Sequence, residues 1–108
     1  MTGISDKTIS ELRILRACVK LLRVPEGITQ ALVSLARIGN FEIRMFRDHH
    51  AISGAGPLFW LELFDHSASA SVDSFSCNEI EDAVVIFDNF VLRAADLNAA
   101  SGSGGTDS

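Results

Sequence analysis

The sequence has no tyrosine, one tryptophan, two prolines and two cysteines. It has no apolar run near the ~20 residues that cross a bilayer, so no membrane-spanning helix is expected. Cys18 and Cys77 stand far apart and form no C-x-x-C pair, which excludes the common zinc and dithiol signatures. The first residues, Met1 to Asp6, lack the basic start and apolar core of a secretory signal. Two lone cysteines without a signal are expected to be reduced, as small buried hydrophobes in a cytoplasmic protein. Basic residues are scarce, 9 against 14 acidic for a net charge of −5. That excludes a surface built throughout for nucleic acid.

Apolar residues are plentiful at 47%, with 21% charged. This is a globular composition and excludes a disordered chain. The length fits one domain, expected over 1–97, followed by a flexible Gly/Ser-rich tail over 98–108. Charge is unevenly spread. Residues 1–48 carry eight basic and five acidic side chains (+3), and residues 49–108 carry one basic, Arg93, and nine acidic (−8).

Helical periodicity predicts a first helix over 8–23, with Thr8 and Glu11 spelling a capping box. Leu12, Leu15, Val19, Leu22, Cys18, Ile14 and Leu21 fill one half of it. Arg13, Arg16, Lys20 and Arg23 form a basic stripe on the other half. After Pro25, the spacing of Ile28, Ala31, Leu32 and Leu35 predicts a second helix over 26–38, ended by Gly39-Asn40. From Phe41 the period changes to two. Phe41, Ile43 and Met45 alternate with Glu42 and Arg44, which predicts a strand. His49 to Pro57 reads as a loop and Leu58–Asp65 as a second strand. A hairpin centred near Ser53 sets Phe41 opposite Asp65, Ile43 opposite Leu63, Arg44 opposite Glu62 and Phe46 opposite Trp60. That register pairs opposite charges and two aromatics across the strands. After a turn at His66–Ser69, Ala70–Phe75 reads as a third strand. Val72 and Phe75 fall on opposite parities, so its register cannot be read. A final helix follows, capped by Ser76 or Asn78, with Glu79, Glu81 and Asp82 in its first turn. Ile80, Ala83, Val84, Phe87, Phe90, Val91 and Ala94 form its apolar stripe, with Val85 and Leu92 off it.

The expected fold class is therefore α+β. Two N-terminal helices precede an antiparallel three-stranded meander, and a C-terminal helix packs on one sheet face in two layers.

Chemical motifs are sparse. His49, His50 and His66, with Asp48 and Asp65, look like metal or acid–base material. The hairpin, however, sets the loop histidines and His66 at opposite ends, above ~20 Å apart. Zinc needs three or four ligands within ~2.3 Å. There is no G-x-S-x-G elbow, and Gly54 to Pro57 lacks the Lys-Ser/Thr of a phosphate loop. No metal or cofactor is implied, and catalysis is not expected. A ligand- or metal-dependent enzyme using the loop histidines stays as an alternative.

The run helix–strand–strand–strand–helix is similar in topology to the double-stranded-RNA-binding domain family, over most of the chain. That family opens its last helix with a phosphate-gripping lysine cluster. Here the same place reads Asn78-Glu79-Ile80-Glu81-Asp82, and like charges repel RNA. The resemblance therefore stops at topology, and no nucleic-acid partner is implied by it.

The remaining feature is apolar. Phe46, Trp60 and Phe64 share a sheet face with Arg44 and Glu62. If the helices cover the other face, this cluster is an interface core with a charged rim. The expectation is a protein–protein interaction module whose partner is a second copy of itself (a homodimer) or another protein. The alternative is nucleic-acid binding through Arg13, Arg16, Lys20 and Arg23.

Overall fold

The computed structural model describes residues 6–23, 31–47 and 59–106. The elements run α1 (Asp6–Leu22), β1 (Leu32–Ile38), β2 (Phe41–Arg47), β3 (Phe59–Asp65), β4 (Ala70–Cys77) and α2 (Ile80–Thr106). The strands form one antiparallel sheet in the order β1-β2-β3-β4. The class is α+β, as the sequence implies, but with four strands in place of three and one helix before the sheet in place of two.

β2 and β3 obey the period-two rule up to their last residues, Arg47 and Asp65. Phe41, Ile43 and Met45 alternate with half-buried Glu42, Arg44 and Phe46, and Phe59, Leu61 and Leu63 alternate with Trp60, Glu62 and Phe64. Their register is the expected one: Phe41 faces Asp65, Ile43 faces Leu63, Arg44 faces Glu62 and Phe46 faces Trp60. Ile43, Met45, Leu61 and Leu63 have no exposed surface. Over them lie Ile14, Ala17 and Leu21 of α1 and Ala83, Phe87, Phe90 and Ala94 of α2. Each fully buried Leu or Ile contributes about 1.5–3 kcal/mol of transfer free energy.

The segment expected to continue a second helix to residue 38 is strand β1; its beginning, 26–30, lies outside the described residues. Ser34 pairs with Arg44 and Ala36 with Ile43, so Leu35 is an extra residue, a β-bulge. The bulge brings Ala36 to the inner face beside Leu35 and so breaks the alternation of the strand. Gly39-Asn40 does not stop a helix. It joins Ile38 to its partner Phe41 in a two-residue hairpin loop. Gly39 has φ +59°, the left-handed value that the first position of a type II′ turn requires.

A second bulge accounts for the unreadable parity of the last strand. Leu63 pairs with Asp73 but Phe64 with Ser71, which leaves Val72 unpaired. Phe75 and Cys77 then fall opposite Leu61 and Phe59, on the inner face.

The helix caps also differ from expectation. α1 begins at Asp6, so Thr8 lies within its first turn and does not cap it. Ser76 belongs to β4, and the Glu79 carbonyl accepts the first helical bond from Ala83 N (3.1 Å); Glu79 therefore holds the cap position of α2. Glu81 and Asp82 occupy the first turn, where the helix dipole favours acid. The helical backbone of α2 continues to Thr106, through the segment whose composition reads as a tail.

Ile43→Ala and Leu61→Ala are each expected to lower the unfolding free energy by about 2–5 kcal/mol in urea denaturation. Val85→Ala, on the outward side of α2, should change it by no more than about 0.5 kcal/mol. Gly39→Ala should cost at least about 1–2 kcal/mol, because alanine strains at that φ and its Cβ would displace the Asn98 side chain.

Candidate interaction surfaces

The five residues expected to form an interface are brought together on the outer face of the sheet. In the row nearest the β1 start, Leu32 pairs with Phe46 and Phe46 with Trp60. The Phe46 and Trp60 rings lie 6.5 Å apart and 6° from parallel. In the next row, Ser34 pairs with Arg44, Arg44 with Glu62 and Glu62 with Ser74. Arg44 Nε donates to Glu62 Oε1 at 3.0 Å, and its Nη2 donates to the same oxygen. Their side chains keep only 20% and 18% of their exposure. The Arg44 guanidinium also lies 4.0 Å from the Phe64 ring centre, a cation–π contact.

The far end of this face carries a contact that the sequence reading missed. His66 Nε2 and Glu42 Oε1 are 2.8 Å apart, and the His66 ring meets Phe64 edge-on at 4.9 Å. The Ser34 hydroxyl, then His66 and Arg44, hold the Glu42 carboxyl below the usual glutamate range, against the opposing effect of burial. Asp65 accepts from the Ser67 hydroxyl (2.6 Å) and Ser67 N (2.9 Å), which fixes the β3–β4 turn and lowers its pKa. His66 is thus part of a structural network. His49 and His50 lie outside the described residues. Among the described residues, no group of three or more His, Cys, Asp or Glu could hold a metal ion.

Both cysteines are buried and free. Desolvation raises the Cys18 pKa. For Cys77, desolvation and the nearby Cys18 and Asp82 push it up to about 11, so the thiol stays protonated at neutral pH.

Basic residues Arg13, Arg16 and Lys20 lie along one side of α1, and Arg23 directly follows the helix. Arg13 donates to the Leu35 carbonyl (3.1 Å) and stands 5.9 Å from the Phe87 ring centre. The wide apolar half expected for α1 divides in two. Ile14, Ala17, Cys18 and Leu21 are buried, whereas Leu12, Leu15, Val19 and Leu22 are 41–55% exposed. The signal was present in the sequence: residues 12, 15, 19 and 22 repeat at heptad spacing, separate from 14, 17, 18 and 21. α2 shows a similar division, with Val85 and Leu92 exposed.

Among the described residues, no helix is long and apolar enough to cross a membrane. No protein-family model, curated protein or solved structure matches the chain. The topological likeness to the double-stranded-RNA-binding domain is also weakened, because four strands separate the helices where that order needs three.

The lowered Glu42 pKa gives a pH test. An unfolded glutamate titrates near ~4.3. A carboxyl depressed in the folded state adds stability above that value and loses it as pH falls through its folded pKa. Wild-type stability in urea should therefore decline below about pH 4.3. Glu42→Gln should be less stable at neutral pH and decline less steeply; equal slopes would show that this carboxylate contributes nothing.

Proposed function

We propose that this domain is a protein-interaction module that self-associates through the outer face of its sheet. The observation that carries this reading is the row Leu32–Phe46–Trp60, on a face that no described helix covers. Both helices contribute their buried stripes to the opposite face, so none of the described helices is left to dry this one. Sheets pack face to face about 10 Å apart, with side chains interdigitating. A two-fold dimer puts the same patch on both sides. Aromatic residues form its apolar centre, and Arg44 and Glu62 fix its orientation.

The half-buried ion pair suits that role. Each charge is already hydrogen-bonded within its own chain, so covering it costs less than burying a lone ion. Arg44 is held in place by Glu62 and Phe64 before any partner arrives. Such preorganisation reduces the side-chain entropy lost on association.

Light scattering of the wild type is expected to give a dimer mass, and Trp60→Glu a monomer with unchanged far-ultraviolet circular dichroism. Trp60 fluorescence should become more accessible to a soluble quencher as the protein is diluted. A wild type that stays monomeric at high concentration sinks this reading.

A further inference from the structure

The outward side of α1 has a different chemistry from the sheet face. Leu12, Leu15, Val19 and Leu22 are 41–55% exposed although all are large and apolar. Their spacing of three, four and three is the pattern by which one helix seats another. The basic stripe runs alongside. The side chains of Arg16, Lys20 and Arg23 make no hydrogen bond or ion pair among the described residues, while that of Arg13 is engaged by Leu35 and Phe87. Arg13, Arg16 and Lys20 also line an open groove of about 340 Å³ between α1 and β1, with Leu12 and Val33.

We infer that this side of α1 docks an amphipathic helix from another protein, one whose apolar stripe is flanked by aspartate and glutamate. The exposed stripe supplies the apolar contact, and the uncompensated cations select an acidic flank. Charge excludes the simplest self-contact. Laying α1 of a second copy here would set one basic stripe against another. Among the described residues, the outward side of α2 offers two large apolar side chains, Val85 and Leu92, a heptad apart, against a stripe of four. A nucleic-acid duplex would satisfy the cations but leave the four apolar side chains without a partner. Helix α1 lies on the opposite side of the sheet from Trp60, so mutation separates this surface from the outer face.

The test uses the full chain and three labelled probes, read by fluorescence anisotropy. One is a three-heptad peptide with leucine at a and d and glutamate at e and g. The second is the same peptide with lysine for glutamate, and the third is an RNA duplex. The glutamate peptide is expected to bind at least about tenfold more tightly than the lysine peptide. Arg16→Glu/Lys20→Glu should reverse that preference, and Arg16→Gln/Lys20→Gln should remove it. Leu15→Ala/Val19→Ala should weaken the glutamate peptide while circular dichroism stays unchanged. Equal binding of both peptides, or no binding of the glutamate peptide at about 1 mM, overturns the inference. So does tighter binding of the duplex. So does self-assembly without peptide that Arg16→Glu/Lys20→Glu abolishes.

Discussion

One-sided burial governs this molecule. β2 and β3 place Ile43, Met45, Leu61 and Leu63 on a single face with no exposed surface. Both helices must lie there, because nothing else described is apolar enough to cover that face. α1 and α2 are tied to each other as well, through Ser10 Oγ donating to Asp88 Oδ1 at 2.7 Å. Two consequences follow. The other sheet face receives no described helix, and the helices turn their second apolar stripes outward. The surplus of apolar residues over what a small core can hold is thereby divided between two opposite surfaces.

The two surfaces differ in how they treat charge. On the sheet, Arg44 is matched by Glu62 and Glu42 by His66, and Phe64 lies against both Arg44 and His66. In that network each charged side chain already has a hydrogen-bond partner, and it presents aromatic edges and faces. On α1, three cations stand beside exposed leucines without an acidic partner among the described residues. The first half of the chain is +3 and the second −8, yet only one described ion pair on the helix side links an element to α2, Arg93 with Asp73 at 2.6 Å. The charge asymmetry is therefore not used up within the fold.

Much of the architecture was legible where local pattern and tertiary environment agree. β2 and β3 read directly, down to the Arg44–Glu62 and Phe46–Trp60 pairs, because one residue of shift would turn Ile43 and Leu63 to the wrong face. The stripe of α2 read well apart from exposed Ile80, since Ala83, Phe87, Phe90 and Ala94 meet one sheet face. β1 and β4 did not, and for one shared reason. Each contains a bulge, at Leu35 and at Val72, and an extra residue destroys the period on which strand recognition depends. At β1 the shift sets Leu35 and Ala36 side by side on the inner face, so no alternation opposes the helix-like spacing of Ala31, Leu32 and Leu35; at β4 no consistent parity remains. The candidate interface residues were found because they lie on unbulged strands. Leu32 and His66 were missed: one lay in a misread segment, and the other became a network member only through Glu42, 24 positions away.

The sequence by itself determined the α+β class, the central hairpin and its register, the terminal helix and the division of charge. Each of these follows from side chains at fixed spacing along one element. Tertiary structure alone decided which of the two apolar stripes on α1 is core. Ile14, Ala17 and Leu21 are buried, while Leu12, Leu15 and Val19 are left outside. Both stripes satisfy the same helical period. Only the seating of α1 against the sheet and beside α2 distinguishes them, because a helix lying on one surface can bury only the side that faces it.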